Sequence, residues 1–295
     1  MKKIYPFVLT LLVGGVLFAG AAFAETGATA DENFVEVDGA QVYYQIQGEG
    51  EPMLLIHGYP LSGELFRDNV GPLSEQYQVI TVDLRGFGMS VAPSQEASIE
   101  IYAQDVLAVM DELGLEQAVV GGMSMGGIVI FEMVRQAPER LSGIILIDTV
   151  HLPAGVAEAA MWRGEAEQAQ QEGVGSLVDF LLPDMLSGDA RMNMPELAEH
   201  LTSIVQQASL EGAVGGGNAL ADRPDSSETL AQITVPTLII VGQEDTLTPF
   251  EIHQEMNEGI AGSQLVILPG AGHAAIIEAA DEANQAILEW AQGLQ

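Results

Sequence analysis

The chain has 295 residues, of which 48% are hydrophobic and 17% charged, and its 42 acidic side chains against nine lysines and arginines give a formal net charge of −33. That apolar content excludes a disordered chain and provides for one large domain or two modest ones. The charge repels phosphate backbones and anionic headgroups, which excludes a nucleic-acid partner and electrostatic attachment to a membrane, and the absence of cysteine excludes disulfides and thiolate metal sites.

Residues 1–24, MKKIYPFVLTLLVGGVLFAGAAFA, start with Lys2 and Lys3, continue through an apolar run and end in Ala22-Phe23-Ala24. A short basic start, an apolar middle and small residues around the end predict a secretory signal peptide cleaved near Ala24. Gly14 and Gly15 interrupt the run, which argues against a permanent membrane anchor. The mature chain is expected to be secreted or periplasmic, with no stable membrane association. Both lysines lie in this leader, and the carboxylate-rich, lysine-free remainder suits solubility in strong salt.

Residues 25–150 begin with NFVEVDGAQVYYQIQG, which alternates about Asp38-Gly39 and predicts a hairpin. PMLLIHG, YQVITVDLRG, QAVVGGMS and SGIILIDTV follow, each too apolar for a strand with one wet face, as parallel strands covered on both faces require. Between them, SIEIYAQDVLAVMDELGL spaces Ile99, Tyr102, Val106, Met110 and Leu113 as one helix face. The alternation predicts an α/β fold with a doubly wound, mostly parallel sheet, in which ligands sit beyond the carboxyl ends of the strands.

From residue 151 to residue 231 the strands stop. Helical patches such as MWRGEAEQAQQ and PELAEHLTSIVQQASL predict a helical cap inserted before the penultimate strand, with GAVGGGNAL as a hinge or helix-breaking turn. Residues 232–295 resume the pattern with VPTLIIVGQED, PFEIHQEMNEG, SQLVILPGAGH and a final helix, AAIIEAADEANQAILEWAQGL.

Gly122-Met123-Ser124-Met125-Gly126 is a G-x-S-x-G sequence between a predicted strand and a predicted helix, the setting of a nucleophile elbow. It places Ser124 at a helix amino end, where unpaired N–H groups favour developing negative charge. A serine hydroxyl needs a base, and the base an orienting acid. His273 follows the last predicted strand. His57 precedes the elbow in His57-Gly58-Tyr59-Pro60, His151 ends a strand where it would border a pocket, and His200 and His253 read as surface or packing residues on helices. Asp245 ends the penultimate strand and gives the order Ser, Asp, His, with Asp148 as its substitute. Asp83 is expected to anchor its turn through an ion pair with Arg85.

Together, His57-Gly58-Tyr59-Pro60, the segment Asp83 to Ser90 (DLRGFGMS), the elbow, Asp245 and Gly272-His273 resemble the α/β-hydrolases over residues 33–293, specifically their capped serine esterase, lactonase and perhydrolase-like branch. The resemblance implies that Ser124 is the nucleophile, His273 the general base and then acid, and Asp245 its orienter. The oxyanion hole would be the backbone N–H groups of Tyr59 and Met125. Dehalogenases and epoxide hydrolases of this kind carry aspartate at the elbow, so Ser124 argues against both.

The implied activity is hydrolysis of small neutral carboxylic esters or lactones by a secreted enzyme without cofactor or metal. Carbon–carbon bond hydrolysis and perhydrolysis share the triad, and a slow or non-catalytic receptor shares the fold. Met123, His151, Met161 and Trp162 are expected to line the pocket. Gly270, Gly272 and Ala275 match a dinucleotide fingerprint, yet too few residues follow for the strand, helix and acidic ribose partner such a site needs.

Overall fold

A computed structural model describes Met1 and residues 31–294. The expected signal peptide, residues 1–24 with cleavage near Ala24, lies outside the described residues but for Met1. Strands β1 (Asp31–Val37) and β2 (Ala40–Gln47) form the predicted hairpin, turning through Asp38 and Gly39 at positive φ. Strands β3 (Glu51–Ile56), β4 (Tyr77–Val82), β5 (Ala118–Met123), β6 (Leu141–Ile147), β7 (Thr237–Gly242) and β8 (Gln264–Leu268) complete an eight-stranded sheet of order β1-β2-β4-β3-β5-β6-β7-β8. All pairings from β4 to β8 are parallel, and only the hairpin end is antiparallel.

Every residue of β5 and of β7 is buried, which is why these strands read as continuous apolar runs. One group of covering helices is α1 (Arg67–Ser74), α11 (Ala275–Glu278) and α12 (Ala280–Gln292). The other contains α2 (Ile99–Glu112), α3 (Met125–Gln136) and α10 (Phe250–Gly259). Ser98 starts α2 by accepting the Ile101 N–H at 3.1 Å, a cap that contributes about 1 kcal/mol. Among the described residues no helix is long and apolar enough to cross a membrane.

Between β6 and β7 lie α4 (Val156–Glu172), α5 (Ser176–Met185), α6 (Gly188–Asn193), α7 (Pro195–Val205), α8 (Leu210–Ala221) and the single turn α9 (Ser227–Leu230). The expected hinge GAVGGGNAL is instead the interior of α8. Its glycines lower helix propensity, but they let the helix approach its neighbours. A Cβ at Gly212 would stand 2.1 Å from the Gly86 carbonyl oxygen, and one at Gly216 would stand 2.7 Å from the Tyr59 ring. Packing overrides propensity here. Gly212→Ala is accordingly expected to cost about 3 kcal/mol or more, measured as a lower urea midpoint with an unchanged m-value.

The expected Asp83–Arg85 pair does not form. Arg85 reaches α2 and holds the buried Asp105 with two hydrogen bonds of 2.7 and 2.5 Å. Asp83 accepts the N–H groups of Gly63 at 2.6 Å and Met89 at 2.8 Å, so its oxygens close the turn through main-chain donors.

Candidate active site

β5 ends at Met123, α3 starts at Met125, and Ser124 joins them at φ +53 and ψ −116. The Ser124 N–H donates to the Ile147 carbonyl at 2.9 Å, and the Thr149 hydroxyl donates to the Ser124 carbonyl at 2.6 Å, so both main-chain groups are held. A Cβ at Gly122 would stand 2.4 Å from the Gly126 carbonyl, and one at Gly126 would stand 2.3 Å from the Ile56 carbonyl oxygen. The turn closes only because both positions lack a side chain.

Positive φ at a serine stores about 1–3 kcal/mol of backbone strain. Ser124→Gly should therefore be more stable than Ser124→Ala, by about 1 kcal/mol, which on a domain of this size raises the thermal midpoint by about 2–4 °C. Equal midpoints for the two variants would show that the turn is unstrained.

His273 lies between β8 and α11, nearly fully buried, and its Nδ1 is 2.9 Å from Asp245 Oδ2. Asp245 follows β7. Its Oδ1 accepts the N–H groups of Leu247 at 2.8 Å and Thr248 at 2.9 Å, and its Oδ2 also accepts the Thr248 hydroxyl at 2.6 Å. Burial pushes this carboxyl up, but the charge and hydrogen bond of His273 and the two Thr248 donors outweigh it and hold Asp245 below the usual carboxylate range. In the neutral form of His273, an ionised Asp245 favours the tautomer with its proton on Nδ1, which leaves Nε2 with a free lone pair.

Asp148 sits at the end of β6 at φ +44, fully buried, and its Oδ1 accepts the Gly242 N–H at 2.8 Å. Burial, reinforced by the charge of Asp245, raises its carboxyl well above the ordinary value. The other histidines are engaged elsewhere. His57 Nε2 accepts the Leu84 N–H and His253 Nε2 the Thr149 N–H, each at 3.0 Å, and burial pushes both rings down to about 4, so they stay neutral. His200 Nε2 lies 3.0 Å from the Glu64 carbonyl.

Ser124, His273 and Tyr59 line one cavity of about 280 Å³ beneath the inserted helices. Met125 opens α3, so its N–H has no carbonyl partner within the helix. Tyr59 follows β3, and its hydroxyl donates to the Ala213 carbonyl of α8 at 2.8 Å. Among the described residues no cluster of three or more His, Asp or Glu is placed to hold a metal ion.

Met161 and Trp162 of α4 line the cavity, but two residues expected there do not. Met123 is fully buried at the end of β5, its sulfur close against Gly58, because a strand-terminal side chain here points into the core. His151 is buried with Nε2 3.7 Å from Glu255 of α10, turned away from the cavity. Leu181, Met185, Leu220, Thr246 and Thr248 also line it, as does a Glu158–Arg223 ion pair. These come from four separate segments, and no local pattern joins them.

The α/β-hydrolase fold family matches residues 51–280 of the chain. The AB hydrolase superfamily protein YisY of Bacillus subtilis is 31% identical over 253 residues, covering 82% of this chain and 92% of the relative. A thermophilic esterase from Thermogutta terrifontis superposes with a TM-score of 0.86 at 33% identity, over 90% of this chain and 99% of the esterase. The enol-lactonase from Burkholderia xenovorans LB400 gives 0.83 at 26% identity, over 88% of this chain and all of the lactonase.

Proposed function

Because the chain belongs to the α/β-hydrolase family, we propose that it hydrolyses small neutral carboxylic esters or lactones through Ser124, His273 and Asp245. The observation that carries the proposal is the His273–Asp245 hydrogen bond at the wall of the cavity that holds Ser124. The esterase and enol-lactonase neighbours support the same chemistry.

Ser124 Oγ attacks the ester carbonyl carbon while His273 Nε2 takes its proton. The carbonyl oxygen becomes an oxyanion, stabilised by the N–H groups of Met125 and Tyr59. Asp245 holds the imidazolium in place and stabilises its charge. Collapse of the tetrahedral intermediate breaks the bond to the alkoxy oxygen, which leaves with the proton from His273. Water then attacks the acyl group on Ser124, giving its proton to His273, and the carboxylic acid departs as the serine is restored.

The inserted helices close the site with an apolar wall suited to an uncharged chain. The leader-like residues 1–24 support export, so substrates would be met outside the cytoplasm. The test is turnover of p-nitrophenyl acetate and butyrate by the mature chain at low and molar salt, with Ser124→Ala in parallel. A loss of about 10³-fold or more in the variant is expected. Undiminished turnover in Ser124→Ala would overturn the proposal.

A further inference from the structure

The cavity that holds Ser124 has a single arginine in its wall, and the charge of that arginine is already matched. Arg223 follows α8 with its side chain only 4% exposed. Its Nε–H donates to the Leu152 carbonyl at 2.9 Å and its Nη1 to the Leu220 carbonyl at 3.3 Å. The rest of the fork holds Glu158 of α4 in a two-pronged pair, with Nη1 to Oε1 at 2.7 Å and Nη2 to Oε2 at 2.8 Å. Glu158 also accepts the Trp162 indole N–H at 3.3 Å. Although burial pushes Glu158 up, Arg223 and Trp162 hold it ionised.

A guanidinium in the wall of an apolar cavity is the group that a substrate carboxylate would seek, because the two fit as a bidentate pair. In this site the chain supplies that carboxylate itself. The pair is neutral overall, and the surrounding wall is largely apolar, with Leu181, Met185 and Leu220 in it and no second cationic side chain of lysine or arginine. A free acid entering the cavity would lose its hydration and find no unmatched positive charge. No other arginine lines the cavity. Arg67, Arg85, Arg135, Arg140 and Arg163 each pair with an acidic side chain, and Arg191 donates to the Pro183 carbonyl.

We propose that Glu158 determines the charge selectivity of the site: by occupying Arg223 it reserves the cavity for uncharged acyl chains and excludes half-esters of dicarboxylic acids. The proposal rests on the ester-hydrolase reading and adds a specificity-determining residue to it. It follows that removing the Glu158 charge, while keeping its shape, converts Arg223 into a carboxylate-binding group.

The experiment compares wild type with Glu158→Gln, which keeps the size and one acceptor oxygen, on p-nitrophenyl hexanoate and on mono-p-nitrophenyl adipate at low salt. Hexanamide and adipate binding are measured alongside by titration calorimetry. The wild type is expected to favour the neutral ester, and the variant to shift the kcat/KM ratio toward the adipate ester by about tenfold or more, through KM. Adipate should bind the variant more tightly, with the uncharged hexanamide little changed. A folded variant with the wild-type ratio and wild-type adipate binding overturns the proposal. A merely structural Glu158 would lower both esters together and leave the ratio unmoved, which also overturns it. If no ester is turned over by either protein, the hydrolase reading fails, and the adipate titration still decides the role of Glu158.

Discussion

Asp245→Asn is expected to lower kcat for p-nitrophenyl butyrate by about 10⁴-fold with little change in KM, whereas Asp148→Asn should lose less than about tenfold. Asp245 accepts from the Leu247 and Thr248 N–H groups, the Thr248 hydroxyl and His273 Nδ1. An amide at this position gives up the charge that stabilises the imidazolium and offers His273 the wrong partner for the tautomer that leaves Nε2 free. Asp148, though at the adjacent strand end, bonds the Gly242 N–H instead.

The two carboxyls also differ in their effect on stability. Asp245 is held low, so its contribution is present above the ordinary carboxylate pKa and is lost as pH falls through its folded value. Asp148 is raised, so its contribution is present below the ordinary value and is lost as pH rises through the folded one. Asp148→Asn should therefore gain stability over wild type, and more at pH 7 than at pH 5. Steady-state kinetics with urea unfolding at the two pH values measures both effects. Loss of activity in Asp148→Asn with Asp245→Asn unaffected would transfer the orienting role to Asp148.

Gly126→Ala is expected to destabilise the domain by about 3 kcal/mol or more, because the atoms it meets are main chain and cannot rotate away. Its Cβ would stand 2.3 Å from the Ile56 carbonyl oxygen and 2.9 Å from that of His57, both on the segment that leads to Tyr59. Relief requires α3 to move off β3, which displaces Ser124 as well. A shift of about 1 Å at a nucleophile costs about 10²-fold in rate, so activity and thermal midpoint should fall together. Gly164→Ala in α4 is the matched control. Nothing lies within 4 Å of its Cβ position, and it should be neutral or slightly stabilising. Equal midpoints for the two variants would show that the elbow does not depend on its glycines.

What could be read from the sequence is what short range determines. The G-x-S-x-G turn is complete in five residues, and the buried parallel strands announce themselves as unbroken apolar runs such as TLIIVG. Ser124, Asp245 and His273 each follow such a run, so their placement at one sheet edge came from the fold class. The misreadings occur where distant segments meet. GAVGGGNAL resembles a break until Gly86 and Tyr59 are brought against it. Arg85 stands two residues from Asp83, yet its partner is Asp105 across the interface with α2. Met123 and Met161 are equally plausible pocket methionines by type, and only the end of β5 decides that Met123 faces the core. Glu158 and Arg223 are 65 residues apart, and no spacing rule connects them.

The central claim is that Ser124 is the nucleophile, and the most direct measurement is peptide mass spectrometry after exposure of the folded chain to diethyl p-nitrophenyl phosphate. One diethylphosphoryl group on the peptide carrying Ser124, absent from Ser124→Ala and slow to form in Asp245→Asn, is the predicted result. An active enzyme that takes up no label, or carries it on another residue while hydrolysis continues, would contradict it.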